Sequence, residues 1–230
     1  MSKALFLDLP GRSLAIAVKR SGMARRMSLR LDPQGGVVVV LPVGVPVAEA
    51  ERFARRQRDW ITGRLAALPD RIPLVPGTSV PLLGVPHSIF HAPQARRGVW
   101  VEDGRLHVSG QAEHAGRRVL DFMKGEARRQ IAPRCQSLAE RIAARVGRLS
   151  LRDTRSRWGS CSAQGDLAFS WRLVMAPDWV LAYVVAHEVA HLAELNHGPR
   201  FWSVVEDLAG DPAPARAWLK LHGPELHRYG

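Results

Sequence analysis

Cysteine and long apolar runs are the features that this sequence has in short supply. Its 230 residues include two cysteines, Cys135 and Cys161, which excludes both a disulfide framework and a four-cysteine zinc module. This cysteine usage is typical of a reducing compartment, so we expect a cytoplasmic protein. No run reaches the roughly 18–20 consecutive apolar residues that span a bilayer, and Asp8 interrupts the one candidate signal core. We therefore expect no membrane partner and no secretory signal.

Positive charge is abundant but unevenly distributed. The chain has 33 lysines and arginines against 21 acidic residues, a formal net charge of +12. Residues 1–150 hold 25 basic and 12 acidic residues, whereas residues 151–230 hold 8 and 9. This N-terminal excess is compatible with a nucleic-acid partner. The arginines are scattered and are not interleaved with aromatic residues, so a solvated surface is the alternative explanation.

Hydrophobic periodicity divides the chain into two parts and predicts an α+β fold. Residues 1–112 form a β-rich part with one helix, and residues 113–230 form a mostly helical part with a small sheet. The predicted helices are Val47–Leu68, Glu113–Val146 with an interruption or kink at Pro133, Trp179 to about Leu195, Pro199–Leu208 and Pro214–Leu221. The predicted strands are Met27–Leu31, Val37–Leu41, Val80–Leu83, His87–His91, Val99–Val101, Leu106–Val108, Leu149–Leu151 and Leu167–Leu173.

The segment His187-Glu188-Val189-Ala190-His191 lies within one of these predicted helices. Residues at i and i+4 of an α-helix are about 40° apart around the axis and about 6 Å apart along it. The two imidazoles can therefore bind one metal ion from one face. Glu188 is placed to reach a water on that metal without ligating it, so it is the candidate general base.

A catalytic zinc site needs a third protein ligand, and His197 is the leading candidate. It follows His187 by ten residues, the spacing of the third histidine in the metzincin pattern. For this ligand to fold back, we expect the helix to break at Asn196, which can adopt the left-handed conformation. Glu206, on the next predicted helix, is the alternative third ligand. Three imidazoles favour zinc among divalent ions, so we expect one Zn²⁺ per chain.

Four segments carry a further signal, namely Arg157–Ser162, Trp171–Leu173, Tyr183–Leu192 and Asn196–Trp202. Together they resemble the YgjP-like metal-dependent hydrolases, which are zincin-type metallopeptidase domains related to the SprT-like proteases. The resemblance implies a zincin-like catalytic part with an active-site helix, a small sheet whose edge strand borders the cleft, and a second helix after the third ligand. It also implies zinc at His187, His191 and His197, with Glu188 as general base.

We therefore expect a zinc-dependent hydrolase, a metallopeptidase acting on a peptide or protein. Arg157, Ser160 and Tyr183 are candidate substrate-binding residues, although a structural turn (for Arg157 and Ser160) and helix packing (for Tyr183) remain alternatives. Two other functions stay open. One is a metal-dependent hydrolase of nucleotides or other phosphoanhydrides, and the other is a nucleic-acid-binding module with a structural zinc.

Overall fold

The computed structural model describes residues 5–9, 12–31, 36–66 and 70–230. Within these ranges the chain forms six α-helices and three small mixed sheets, which confirms the predicted α+β class. It divides into two compact units, Met1–Asp70 and Arg71–Gly230. None of the described helices combines the length and apolar composition needed to cross a membrane.

The N-terminal unit is a four-stranded sheet with two helices. Its strand order is β1-β2-β4-β3, in which β2 and β4 are parallel and the other two pairs are antiparallel. Strands β3 and β4, both predicted from the sequence, pair antiparallel, and residues 32–35 between them lie outside the described residues. The predicted helix divides at Gln57 into two shorter ones, and the expected end at Leu68 also lies outside the described residues. The elements are β1 Leu5–Leu9, β2 Arg12–Ser21, β3 Ser28–Leu31, β4 Val37–Pro42, α1 Val47–Arg56 and α2 Arg58–Ala66.

A second four-stranded sheet opens the C-terminal unit and precedes its longest helix. The strand order is β5-β6-β8-β7, built from two antiparallel pairs that meet in the parallel pairing of β6 and β8. Helix α3 follows and contains Pro133 without interruption. The elements are β5 Ser79–Leu82, β6 Val85–His91, β7 Val99–Glu102, β8 Arg105–Val108 and α3 Ala115–Arg141.

The remaining residues form a three-stranded sheet and three helices. The order β10-β11-β9 leaves β10 at an edge, and β10 pairs antiparallel with β11. The predicted strand Leu167–Leu173 ends at Ser170, where a 3₁₀ turn over Trp171–Met175 begins. The last helix is longer than predicted. The elements are β9 Leu149–Arg152, β10 Gly159–Cys161, β11 Leu167–Ser170, α4 Asp178–Ala190, α5 Pro199–Ala209 and α6 Ala213–Leu226.

The division between the two units differs from the predicted boundary near residue 112. The structure places it between Asp70 and Arg71, so the sheet of β5–β8 belongs to the C-terminal unit. The reason is packing, because Val80 and Leu106 of that sheet share one hydrophobic core with α3 and α4. A separate core, which includes Ile16, lies within the N-terminal unit.

Candidate metal centre and active site

Helix α4 carries His187 and Glu188 and ends immediately before His191. The helix is apolar around its circumference, which is typical of a helix embedded in a core. His187 is half-buried and Glu188 is 6% exposed, whereas the surrounding residues of the helix are almost fully buried. The helix ends at Ala190, and His191 is its C-cap residue with φ −66° and ψ −15°. Because His187 and His191 are four residues apart, both imidazoles lie on the same side of the helix end.

The turn after α4 differs from the expected one. The sequence predicted a helix to about Leu195 and a left-handed Asn196, but the helix stops at Ala190 and Asn196 has a negative φ. Instead, the Gly198 amide donates a hydrogen bond to the Asn196 carbonyl oxygen at 2.7 Å. The chain therefore turns within 191–198, and helix α5 begins at Pro199, a residue suited to the first helical position.

This turn brings His197 close to His187 on α4 and to His191 at the end of that helix. The ligand nitrogens of His187, His191 and His197 all lie within 4.8 Å of one another. Nε2 of His197 lies 3.2 Å from Nε2 of His187. Two nitrogens that bind one tetrahedral zinc at about 2.1 Å stand about 3.4 Å apart, so the donor set fits such an ion. Glu206, the alternative third ligand, is exposed on α5 and is not part of this cluster.

Contacts around the three histidines hold their rings in place. Nδ1 of His191 donates to the Glu194 carbonyl oxygen at 3.1 Å, which leaves Nε2 free to bind a metal. Phe201, fully buried on α5, stacks on His191 at 4.4 Å between ring centroids and meets the other two imidazoles edge to face. Burial, reinforced by the charges of the other two histidines and of Arg216, lowers the pKa of His187 to about 4. His187 is therefore neutral at neutral pH, as metal ligation requires.

Glu188 faces the edge strand β10. A Cβ added to Gly159 would lie 2.4 Å from Glu188 Cγ and 2.5 Å from its Oε1, so the absence of a side chain at Gly159 makes room for the carboxylate. Burial raises the pKa of Glu188 to about 7, and the positive charge of Arg157 opposes this shift. A carboxyl group with a pKa near neutrality can both accept and return a proton.

The three predicted substrate-binding residues lie around this site in different settings. Arg157 and Tyr183 line a cavity of about 390 Å³ together with His187 and Glu188. Tyr183 is 7% exposed, and its hydroxyl lies 3.5 Å from Nδ1 of His187. Ser160 lines a separate cavity of about 290 Å³, which Arg157 also borders. Ser160 lies within the edge strand β10, Gly159–Cys161, and Arg157 lies two residues before it.

Sequence reasoning missed the contribution of helix α6. Arg216 and Leu219, three residues apart on α6, line the 390 Å³ cavity, and the Arg216 guanidinium lies 5.2 Å from the centre of the Trp202 ring. Neither residue belongs to a recognisable motif, and the helix follows the third histidine by more than fifteen residues. Their spacing of three would have shown that they share a face, but not that the face meets the active site.

Comparison with known families agrees with this geometry. The sequence model of one protein family, described as "YgjP-like, metallopeptidase domain", matches residues 25–222 of this chain. Comparisons with curated proteins and with solved structures gave no match. The matched range includes α4, the turn to His197, strand β10 and most of α6. Because the match covers well over half of the chain, the chain belongs to the YgjP-like family, and this metallopeptidase domain, with its three-histidine cluster, supports a metal-dependent hydrolase.

Proposed function

We propose that this protein is a zinc-dependent peptidase that hydrolyses peptide or protein substrates with Glu188 as general base. The observation that carries the proposal is the juxtaposition of a buried carboxylate and three imidazoles that converge on one point. A zinc ion held by His187, His191 and His197 would supply a Lewis acid for the substrate carbonyl and acidify a water molecule.

The residues of the chain have separate roles in this reaction. Glu188 accepts a proton from the attacking water, whose oxygen forms the new bond to the carbonyl carbon. When the carbon–nitrogen bond breaks, Glu188 returns that proton to the leaving amine. Its pKa of about 7, raised by burial, suits both transfers near neutral pH. Tyr183 and Phe201 position the imidazoles through the contacts described above.

The edge strand offers a place for the substrate backbone. Strand β10 pairs with β11 on one side and is the outermost strand of its sheet on the other. An extended peptide can add to such an edge through main-chain hydrogen bonds. Gly159 lies in this strand and approaches Glu188, so a peptide aligned along β10 would present a carbonyl close to the general base.

The test separates metal binding from catalysis. We expect Glu188→Gln to retain one zinc per chain and to lose about a thousandfold in kcat/KM, a loss within the range for a general acid–base group. His191→Ala should lose both zinc and activity. Metal content is measured by plasma mass spectrometry, and cleavage of a mixed peptide library by mass spectrometry.

Glu206→Gln is the matched control, since Glu206 is an exposed glutamate outside the cluster. It should keep zinc and activity. A Glu188→Gln variant with full activity would overturn the role of the base, and loss of zinc in Glu206→Gln would overturn the assignment of His197 as third ligand.

A further inference from the structure

The cavity beside Glu188 receives positive charge from two separate elements. Arg157 lies two residues before strand β10, and Arg216 lies on helix α6. The rest of the lining is mainly apolar and includes Trp158, Val184 and Leu219. At about 390 Å³ the cavity falls within the size range of small-molecule and side-chain pockets. Two arginines from different elements thus line a largely apolar pocket next to the proposed catalytic carboxylate.

Neither Arg157 nor Arg216 forms a close ion pair with a carboxylate in the part of the chain that the structure describes, although the charge of Arg157 acts on Glu188. The ion pairs found there involve other arginines, among them Arg134 with Asp178 and Arg172 with Asp153. Arg216 lies instead over the face of Trp202, a contact that holds the guanidinium without cancelling its charge. Glu188 is the one acidic residue that lines the cavity, and it has the catalytic role already proposed.

We propose that this cavity is a specificity subsite for a substrate carboxylate, held by Arg157 and Arg216 beside the scissile bond. The preferred substrate is then a peptide with an acidic side chain, or a free C-terminal carboxylate, next to the cleaved bond. The proposal rests on the peptidase function above and adds its substrate class. Guanidinium groups bind carboxylates through paired, charge-assisted hydrogen bonds.

The apolar lining distinguishes a carboxylate on a carbon chain from an inorganic anion. Trp158 and Leu219 offer surface for the methylene groups of a glutamate or the side chain of a terminal residue. Both arginines are exposed, so a substrate can reach them from solvent. Inorganic phosphate shares the charge but not the hydrocarbon, and should bind the cavity more weakly than the peptide.

The experiment compares matched peptides that differ only beside the cleaved bond. One series carries Glu, Gln or Lys there, and a second carries a free or an amidated C-terminus. We expect the wild type to favour Glu over Gln by about tenfold in kcat/KM, the effect of one charge-assisted contact. Because Arg157 remains, Arg216→Gln should reduce this ratio to about threefold, and Arg216→Glu should reduce it further. Lys220→Gln removes a charge from α6 outside the cavity and should keep the wild-type ratio.

A binding measurement makes this inference independent of turnover. In the Glu188→Gln variant, anisotropy of fluorescein-labelled peptides should show tighter binding of the Glu peptide than of the Gln peptide, and inorganic phosphate should compete poorly. If peptides are cleaved with no preference and Arg216→Gln changes neither rate nor affinity, the subsite is overturned while the peptidase function stands. If no peptide is cleaved but the acidic one still binds selectively, the subsite stands and the peptidase function fails. A preference confined to free C-termini identifies the terminal carboxylate as the ligand.

Discussion

Replacing Gly159 by alanine should disable Glu188 while leaving the metal ligands in place. The added Cβ would lie 2.4 Å from Glu188 Cγ and 2.5 Å from Oε1. Ordinary van der Waals contact begins near 3.4 Å, so the gap to be opened is about 1 Å. The backbone of Gly159 is fixed by its pairing with Phe169 in the sheet, and Glu188 is 6% exposed on a buried helix. The side chain of Glu188 is therefore the group that must move.

The magnitude follows from the geometry of catalysis. A displacement of about 1 Å from the productive position can cost about a hundredfold in rate. We therefore expect Gly159→Ala to lower kcat/KM about a hundredfold. The substitution itself carries no entropic cost, because glycine loses more conformational freedom on folding than alanine does. The three histidines are not among the nearest neighbours of the added atom, so zinc content should stay at one per chain.

The assay combines peptide cleavage, metal content and thermal unfolding. Gly125→Ala is the matched control, because an added Cβ at this exposed position of α3 meets no atom within 4 Å. That variant should keep full activity and gain slightly in stability, as alanine does in a helix. A Gly159→Ala variant with wild-type kcat/KM would refute the argument, since Glu188 would then not need the position that glycine leaves open. A variant that loses zinc would show that the change reaches the metal ligands instead.

Three further predictions concern stability. Arg172 is 3% exposed and donates hydrogen bonds to two carbonyl oxygens near the C-terminus and to Asp153. Arg172→Met should therefore lower the free energy of unfolding, measured by urea titration, by about 3 kcal/mol. A loss below about 1 kcal/mol would contradict this prediction. Burial lowers the pKa of His227 to about 4, so the unfolded state binds more protons between about pH 4 and 6.5 and stability should fall as the pH falls through that window. His227→Phe, which keeps a ring against Trp158, should reduce the drop in Tm between pH 7 and pH 5, and an unchanged drop would rule out this residue. Phe201→Ala should lower the free energy of unfolding by about 4 kcal/mol. It should also weaken zinc affinity, measured by chelator competition, because the imidazoles lose their packing surface. Unchanged affinity would show that Phe201 stabilises the core alone.

Local sequence patterns predicted most of the secondary structure and part of the site. The alternation around the β3–β4 hairpin and the helical spacing of His187 and His191 depend on near neighbours in the chain, so they can be recognised without a tertiary context. The spacing of His197 also indicated the third imidazole, although the predicted left-handed conformation of Asn196 was wrong. The helix ends at Ala190, where the sequence contains no glycine or proline to mark its end.

The sequence by itself determined the class of fold, the family resemblance and the three imidazoles with their neighbouring glutamate, because each rests on residue identity at short separations. Tertiary structure alone decided the division at Asp70, since it depends on which core the sheet of β5–β8 joins. Tertiary structure also decided the burial that raises the pKa of Glu188 and the close approach of Gly159 to that carboxylate. It likewise placed Arg216 of α6 in the lining of the cavity beside Glu188. These features arise from contacts between elements far apart in the chain, where periodicity carries no information about which faces meet.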